Sequence, residues 1–308
     1  MNCPAHMIVY KSTIRSYRDL PIRFFEQGTV YRHEKSGVLH GLLRVRGFTQ
    51  DDAHIFCLPE QLGDEIKAVI DFTLYALKVF GFAEYHVEIS TMPEDHIGED
   101  ADWEKATSAL KASLTEKKIK YNINEGDGAF YGPKIDIKLK DALGRFWQCA
   151  TIQCDFALPA RFGLSYIDKN NKQQCPIMLH RVILGSMERF IGALIEHYAG
   201  ALPTWLSPTQ IMVMPITDKQ HKYAESINDQ LKQNNIRSEI DLRSQTIGYK
   251  IREAQNNKIP YMLIIGEKEQ KEKSVSLRTR IKGDEGKIKI EKLIKTILKE
   301  VNSYSNER

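Results

Sequence analysis

Two stretches of the chain carry side chains suited to holding a nucleotide. One is Tyr31-Arg32-His33-Glu34. The other is Arg44-Val45-Arg46-Gly47-Phe48-Thr49-Gln50-Asp51-Asp52-Ala53-His54. The loop between them contains Ser36-Gly37 and His40-Gly41, and its glycines suit a hairpin whose ends approach each other. Such a hairpin gathers Arg32, Glu34, Arg44 and Phe48 around one pocket. Guanidinium groups grip phosphate or carboxylate oxygens in a bidentate fork. A phenylalanine face stacks on a base, and a glutamate accepts hydrogen bonds from an exocyclic amine. Arg and Glu on facing strands are also the commonest kind of surface cross-strand pair, so composition alone leaves that structural reading beside the nucleotide site.

The elements that position these residues follow from periodicity. Leu62, Ile66, Val69, Ile70, Leu74 and Leu77 recur at helical spacing and predict an amphipathic helix over 60–80. Residues 85–91 alternate as a strand, and a charged helix is expected over 102–117. Three strands are predicted at Ala129–Tyr131, Ile135–Lys140 and Phe146–Phe156, the last two joined by a turn at Asp141-Ala142-Leu143-Gly144. Residues 178–198 read as a helix. Gly200-Ala201-Leu202-Pro203 and Ser207-Pro208 then break the rhythm, placing a domain boundary at about 205. Beyond it, strands at 211–216, 238–242 and 262–265 alternate with helices at 219–234 and 247–256. A further strand is expected at 275–280 and a closing helix at 290–301. The expected fold is therefore an α+β first domain (1–205) with a mixed, mostly antiparallel sheet, followed by an α/β domain (206–308).

The chain has 308 residues, 42% hydrophobic and 27% charged, which suits two soluble globular domains. No apolar run is long enough to span a membrane, and Met1-Asn2-Cys3-Pro4 lacks the features of a signal peptide. Five cysteines without tight spacing fit a reducing, cytoplasmic setting. A net charge of +4 permits binding to a polyanion without demanding it.

Arg32-x-Glu34, a loop, and Arg44-Val-Arg-Gly-Phe-Thr-Gln resemble motif 2 of class II aminoacyl-tRNA synthetases. The run RVRGFTQDDAHIF and the segment HRVILGSMER at 180–189, similar to motif 3, narrow the resemblance to the threonyl-tRNA synthetase family. The opening MNCP resembles that family's MNCPGH, with Ala5 in place of the glycine. The resemblance continues through WLSPTQ and IGYKIREAQ.

It implies a threonine–tRNA ligase acting on ATP, L-threonine and threonine tRNA. Arg32 would bridge the ATP α-phosphate and the threonine carboxylate, and Glu34 would meet the adenine amine. Phe48 would stack on adenine, and Arg44 and Arg189 would hold the γ-phosphate end. Gln148 and Ser186 would lie by the nucleotide, and Lys134 near the reacting centre. Gln50, Asp52, Tyr131 and Gln153 would line the threonine pocket, with Asp52 accepting from the substrate hydroxyl.

The resemblance also makes Cys3, His54 and His180 ligands of one Zn²⁺, with Mg²⁺ accompanying ATP. On spacing alone these three read as a packed cysteine and satisfied histidines. Glu269 and Arg278 would touch anticodon bases, and nearby lysines and arginines would track phosphate. Where the family has Asn-Glu-Lys before IGYKIRE, this chain has Ser244-Gln245-Thr246. Family members also carry N-terminal editing and motif 1 segments, so the chain is expected to be part of a longer product, homodimeric when complete. Cys3, His54, His180 and Asp52 argue against a proline or histidine ligase. The alternative is a non-catalytic tRNA-binding or regulatory fragment; Arg32 and Arg189 count against it.

Overall fold

Alternating polar and apolar residues along a strand give a sheet two unlike faces, and the first part of the chain forms such a sheet. The computed structural model describes residues 2–140 and 144–306. The chain divides into two compact units, Met1–Glu196 and His197–Arg308.

The first unit runs α1 (Cys3–Lys11), β1 (Ile22–Tyr31), β2 (Gly47–Cys57), α2 (Leu62–Val79), β3 (Tyr85–Ser90), α3 (Asp100–Glu116) and β4 (Asn122–Asn124). It continues β5 (Lys134–Lys140), β6 (Phe146–Asp155), α4 (Ala157–Arg161), β7 (Tyr166–Ile167), β8 (Gln173–Gln174), β9 (Ile177–Val182) and α5 (Met187–His197). Seven strands make one sheet in the order β1-β2-β9-β6-β5-β3-β4, antiparallel except where β3 meets β4; β7 and β8 form a separate hairpin.

The registers place Phe24, His54, His180, Gln153, Lys134 and Ser90 directly opposite one another in a single row across six strands. Directly paired residues share a face and strands lie about 4.8 Å apart, so the row sets these side chains next to each other. Ile55, Leu179, Cys154, Ile152, Ile135 and Ile89 point to the other face and are buried. There α2 and α3 cover them with Ile66, Val69, Ile70, Leu110 and Leu114. Arg23, on that same face, donates to Glu65 of α2 at 2.9 Å.

On the polar face, α1 packs over β1. Met7 and Tyr10 join Phe56, Leu20 and Met178 in one buried cluster. Gly28 permits this approach, since a Cβ there would stand 1.9 Å from the Asn2 side chain.

Two expectations need correction. Residues 178–198 are not one helix. Met178–Leu179 lie in the strand β9, buried on both sides, and Gly185, at φ 72°, breaks the chain before α5 begins at Met187. A short apolar run reads equally as buried strand or buried helix. Ala129–Tyr131 is a turn rather than a strand: the Ala129 and Gly132 amides each donate to the other's carbonyl at 3.1 Å. The turn expected at Asp141-Ala142-Leu143-Gly144 falls largely outside the described residues, although β5 and β6 pair antiparallel as a hairpin requires.

The second unit contains β10 (Ile211–Pro215), α6 (His221–Gln233), β11 (Ser238–Ile240), α7 (Ile247–Asn256), β12 (Tyr261–Ile265), α8 (Glu267–Lys271), β13 (Val275–Thr279), β14 (Gly283–Ile288) and α9 (Ile290–Asn302). Its sheet order is β11-β10-β12-β13-β14, parallel in the first three strands and antiparallel in the rest. Ile211, Val213, Ile227, Leu231, Leu263 and Ile297 belong to its core. The α/β rhythm is as the sequence implies. The edge strand β14 is unannounced because Gly283-Asp284-Glu285-Gly286 carries no apolar alternation. Among the described residues, no helix is long and apolar enough to cross a membrane.

Candidate active site

Four residues of β2 at alternate positions, Phe48, Gln50, Asp52 and His54, face one cleft on the polar side of the first sheet. The intervening Asp51 points the other way. It accepts from the amides of Ile183 and Leu184 at 2.8 and 3.0 Å, fixing the connection from β9 to α5. That connection delivers Ser186 and, in the first turn of α5, Arg189. The hairpin loop is closed by the Arg32 amide donating to the Arg46 carbonyl at 2.8 Å.

One end of the cleft is lined by Arg32, Glu34, Arg44, Phe48, Ser186 and Arg189. Arg44 donates to Glu34 at 3.1 Å, and the Arg32 guanidinium lies 5.2 Å from the Phe48 ring centroid. Arg189 donates through Nε to the Leu43 carbonyl at 2.8 Å. Burial, followed by the positive charges of Arg32 and Arg44, lowers the pKa of Arg189 below the usual arginine range. Three cations sharing a cleft with one nearby carboxylate from Glu34 form an anion site.

The other end is lined by Cys3, Gln50, Asp52, His54, Tyr131, Gln153 and His180. The Tyr131 hydroxyl donates to Gln153 Oε1 at 2.6 Å. The turn carrying Tyr131 lies tight on β6, because a Cβ on Gly132 would be 1.9 Å from the Cys154 carbonyl oxygen. Asp52 is buried, and burial above all raises its pKa, with His180 opposing.

Cys3, His54 and His180 have ligand atoms all within 4.8 Å of one another. Among the described residues, His54 Nε2 is buried without a hydrogen-bond partner. Burial, then the neighbouring His180 and His6, depress the His54 pKa to about 2, so the ring is neutral. Burial works against charge on His180, but the Asp155 carboxylate and Cys3 outweigh it and raise its pKa to about 9. An orphaned imidazole nitrogen beside a thiol and a second imidazole is a donor set that fits a zinc ion.

Gln148 also lines the cleft, through a β-bulge. The register shifts between Ile137 and Lys138, so Ile137 pairs Ala150 while Lys138 pairs Gln148. The shift returns Gln148 to the site face, where it donates to Asp136 at 2.6 Å and to Thr151 at 2.7 Å.

Lys134 stands in the cross-sheet row opposite Gln153 but is not among the lining residues; its Nζ is 2.9 Å from Asp136. Glu269 and Arg278 belong to the second unit. Glu269 accepts from the Gly266 amide at 3.0 Å at the start of α8. Arg278 lies on β13 with a buried Nε that has no partner. Thr246 caps α7 by accepting from the Tyr249 amide at 3.4 Å.

Sequence reading missed the acidic and imidazole groups that hold these side chains. Asp136 holds Lys134 and Gln148. Asp155 lies 2.9 Å from His180 Nε2. Glu188 accepts from the Thr49 amide at 3.0 Å and from Ser186 Oγ at 3.1 Å. His6 lies 2.7 Å from His54. Only Asp136 left a signal, since Lys134-Ile135-Asp136 alternates within a predicted strand.

Comparison with known proteins gives matches along nearly the whole chain. Residues 1–198 match the family described as tRNA synthetase class II core domain (G, H, P, S and T), and residues 210–300 match an anticodon binding domain. The threonine–tRNA ligase of Caldanaerobacter subterraneus subsp. tengcongensis is 59% identical over 301 residues, covering 98% of this chain and 47% of the relative. That of Syntrophotalea carbinolica is 61% identical over 280 residues, covering 91% of this chain and 44% of the relative. The chain thus spans about half the length of these curated relatives. A crystal structure titled as the RNA binding domain of threonyl-tRNA synthetase from Cryptosporidium parvum superposes with a TM-score of 0.93 at 43% identity, covering all of this chain and 76% of that one.

Proposed function

The chain belongs to the threonyl-tRNA synthetase family of class II tRNA synthetases, and from that premise we propose that it forms the threonine-activating and anticodon-binding parts of a threonine–tRNA ligase. Residues 1–205 would activate threonine and residues 206–308 would hold the anticodon arm. The observation that carries this reading is the cleft itself, with a triple-arginine anion site at one end and a cysteine–histidine triad at the other.

ATP enters as its Mg²⁺ complex. Phe48 stacks on adenine, Glu34 accepts from its amine, and Ser186 and Gln148 flank the nucleotide. Arg44 and Arg189 take the γ-phosphate end, exchanging their present contacts for phosphate oxygens. Arg32, between the two ends, bridges the α-phosphate and the threonine carboxylate.

Cys3, His54 and His180 would hold one Zn²⁺, which would supply Lewis-acid binding for the amine and hydroxyl of threonine. Asp52 accepts from that hydroxyl, while Gln50, Tyr131 and Gln153 close the pocket. The threonine carboxylate oxygen attacks the α-phosphorus, the bond to the β-phosphate oxygen breaks, and pyrophosphate leaves. Negative charge grows on the phosphoryl oxygens in the transition state. Arg32 and Arg189, with Lys134 near the reacting centre, would stabilise that charge electrostatically. The terminal ribose hydroxyl of tRNA then attacks the adenylate carbonyl and AMP leaves. In the second unit, Arg278 would fork onto a base edge and Glu269 would accept from an amino group.

The test is amino-acid-dependent exchange of pyrophosphate into ATP, with zinc content measured on the same sample. Exchange with threonine and not with proline or histidine supports the reading. No exchange from zinc-loaded protein that still binds threonine tRNA would leave a non-catalytic tRNA-binding fragment.

A further inference from the structure

The two histidines of the triad are held in different ways. His180 Nε2 sits 2.9 Å from a fully buried carboxylate, Asp155 Oδ2. A proton on Nε2 is thereby fixed, which leaves Nδ1 as the ring nitrogen that a metal would take. Among the described residues, no carboxylate lies in hydrogen-bond reach of His54 Nδ1. That nitrogen lies 2.7 Å from Nδ1 of His6 on α1, and His6 Nε2 lies 3.3 Å from Glu26 Oε1 on β1.

Two nitrogens 2.7 Å apart share one proton, and the site decides which carries it. A metal ligand on His54 needs a bare Nε2, so Nδ1 must carry the ring proton. His6 Nδ1 must then accept, and the His6 proton must stand on Nε2, which faces the Glu26 carboxylate at 3.3 Å. Each step has a partner at hydrogen-bonding distance, and the chain runs one way from His54 through His6 to Glu26. The other end of the chain is His54 Nε2, buried and unpartnered. His6 is itself buried, with its ring 5.7 Å from that of Phe24, so it cannot turn freely.

We propose that His6, oriented by Glu26, is a positioning residue that fixes the tautomer of His54 and so keeps its Nε2 lone pair directed at the metal. The proposal rests on the metal reading above, and partners that orient a ligand in this way typically change metal affinity by about 10–100-fold. His6 would work through an intermediate imidazole where Asp155 works directly.

Three variants of the full chain separate this role from simple packing. His6→Phe keeps a ring and removes the acceptor. His6→Asn keeps an acceptor oxygen near the position of Nδ1. Glu26→Leu removes the group that holds the His6 proton. Zinc affinity is measured by competition with a chelator. The tautomer of His54 is read in the metal-free chain by long-range proton–nitrogen correlation of ¹⁵N-histidine-labelled protein.

The expected results are a loss of about 10–100-fold in zinc affinity for His6→Phe, a loss within about threefold for His6→Asn, and an intermediate loss for Glu26→Leu. The wild-type chain should show His54 protonated at Nδ1, and His6→Phe should move that proton to Nε2. If His6→Phe does not fold, the other two variants carry the same readouts. Wild-type His54 protonated at Nε2, or His6→Phe with unchanged zinc affinity and tautomer, overturns the proposal. A wild-type chain whose His54 is protonated at Nδ1 but which binds no zinc supports the positioning role and overturns the metal reading instead.

Discussion

On the first sheet, Arg32, Arg44 and Arg189 crowd one end of a cleft and a buried imidazole nitrogen is left without a partner at the other. In the second unit, several charged groups find their partners within the unit. Arg243 is tied to both Asp241 and Glu253, Lys287 to Glu272, and Lys271 to Glu267. The buried Lys250 donates to two backbone carbonyls, Pro215 at 3.2 Å and Asp241 at 2.9 Å. Each of these groups is matched by a neighbour of the same unit. The first unit leaves like charges together and a lone pair free, which costs stability unless a ligand completes the set. Among the described residues of the second unit, Ser274 Oγ and the charged Arg278 Nε are buried and unpartnered. By the same logic, Arg278 is where a ligand contact is expected.

Removing either half of the first unit's imbalance should have the largest effects. Cys3→Ala is expected to abolish zinc retention and threonine-dependent pyrophosphate exchange together, with metal analysis and exchange run on one preparation. Full exchange in protein verified as zinc-free would erase the contrast between the units.

At the other end, Arg32→Ala and Arg189→Ala should each remove about 2–4 kcal/mol of transition-state stabilisation, or about 30- to 1,000-fold in adenylate formation. Loss of only a few-fold would make these arginines ordinary cross-strand charges.

A smaller effect is expected for substrate choice. Serine lacks only a methyl, and a missing methyl is worth about 1–3 kcal/mol in a pocket of this kind. Serine should therefore be activated at a measurable rate in the exchange assay. Valine would leave Asp52 and a metal position unpaired and should be rejected more strictly. Equal rejection of serine and valine would show that shape, rather than the metal and Asp52, selects threonine.

The second unit should respond more weakly still. Arg278→Ala should reduce discrimination between anticodons, by about 1–3 kcal/mol for the base it meets. Lys271→Ala should weaken binding of all tRNAs alike and lower its salt dependence. A uniform loss in the Arg278 variant would remove it as a reader of bases.

The smallest effect belongs to Ala5, which replaces a glycine of the family pattern. It sits exposed in α1, away from the cleft lining. Ala5→Gly should destabilise the chain by about 0.5–1 kcal/mol in denaturant unfolding and leave exchange unchanged.

What the sequence reveals of this site, and what it conceals, follows from how far each contact reaches. Arg32, Glu34, Arg44 and Phe48 announce themselves by residue type on either side of one loop, whereas Gln50, Asp52 and His54 are legible only by resemblance. Gln148 is legible only by resemblance, because a one-residue bulge changes the face on which it lies, and local alternation does not count bulges. The helix expected over 178–198 includes His180, because the strand Ile177–Val182 is too short for its period to show. The place of His180 opposite His54 and Gln153 comes from strand order, in which β9 slots between β2 and β6. Asp155, Glu188 and His6 are distant in sequence from the side chains they support, and α1 has too few residues for a clear period. Most of the fold's rhythm was readable, including the α/β alternation of the second unit. The supporting network was not, because it belongs to the pairing of strands rather than to any one of them.

One measurement engages both ends of the cleft at once: calorimetric binding of a non-hydrolysable threonyl-adenylate analogue to zinc-loaded chain, beside the valyl analogue. The account predicts that the threonyl compound binds at least about tenfold more tightly, and that Cys3→Ala removes this preference while both compounds keep the affinity supplied by Arg32, Glu34 and Phe48. Equal affinity for the two analogues in the zinc-loaded chain, or a preference that survives Cys3→Ala, would contradict it.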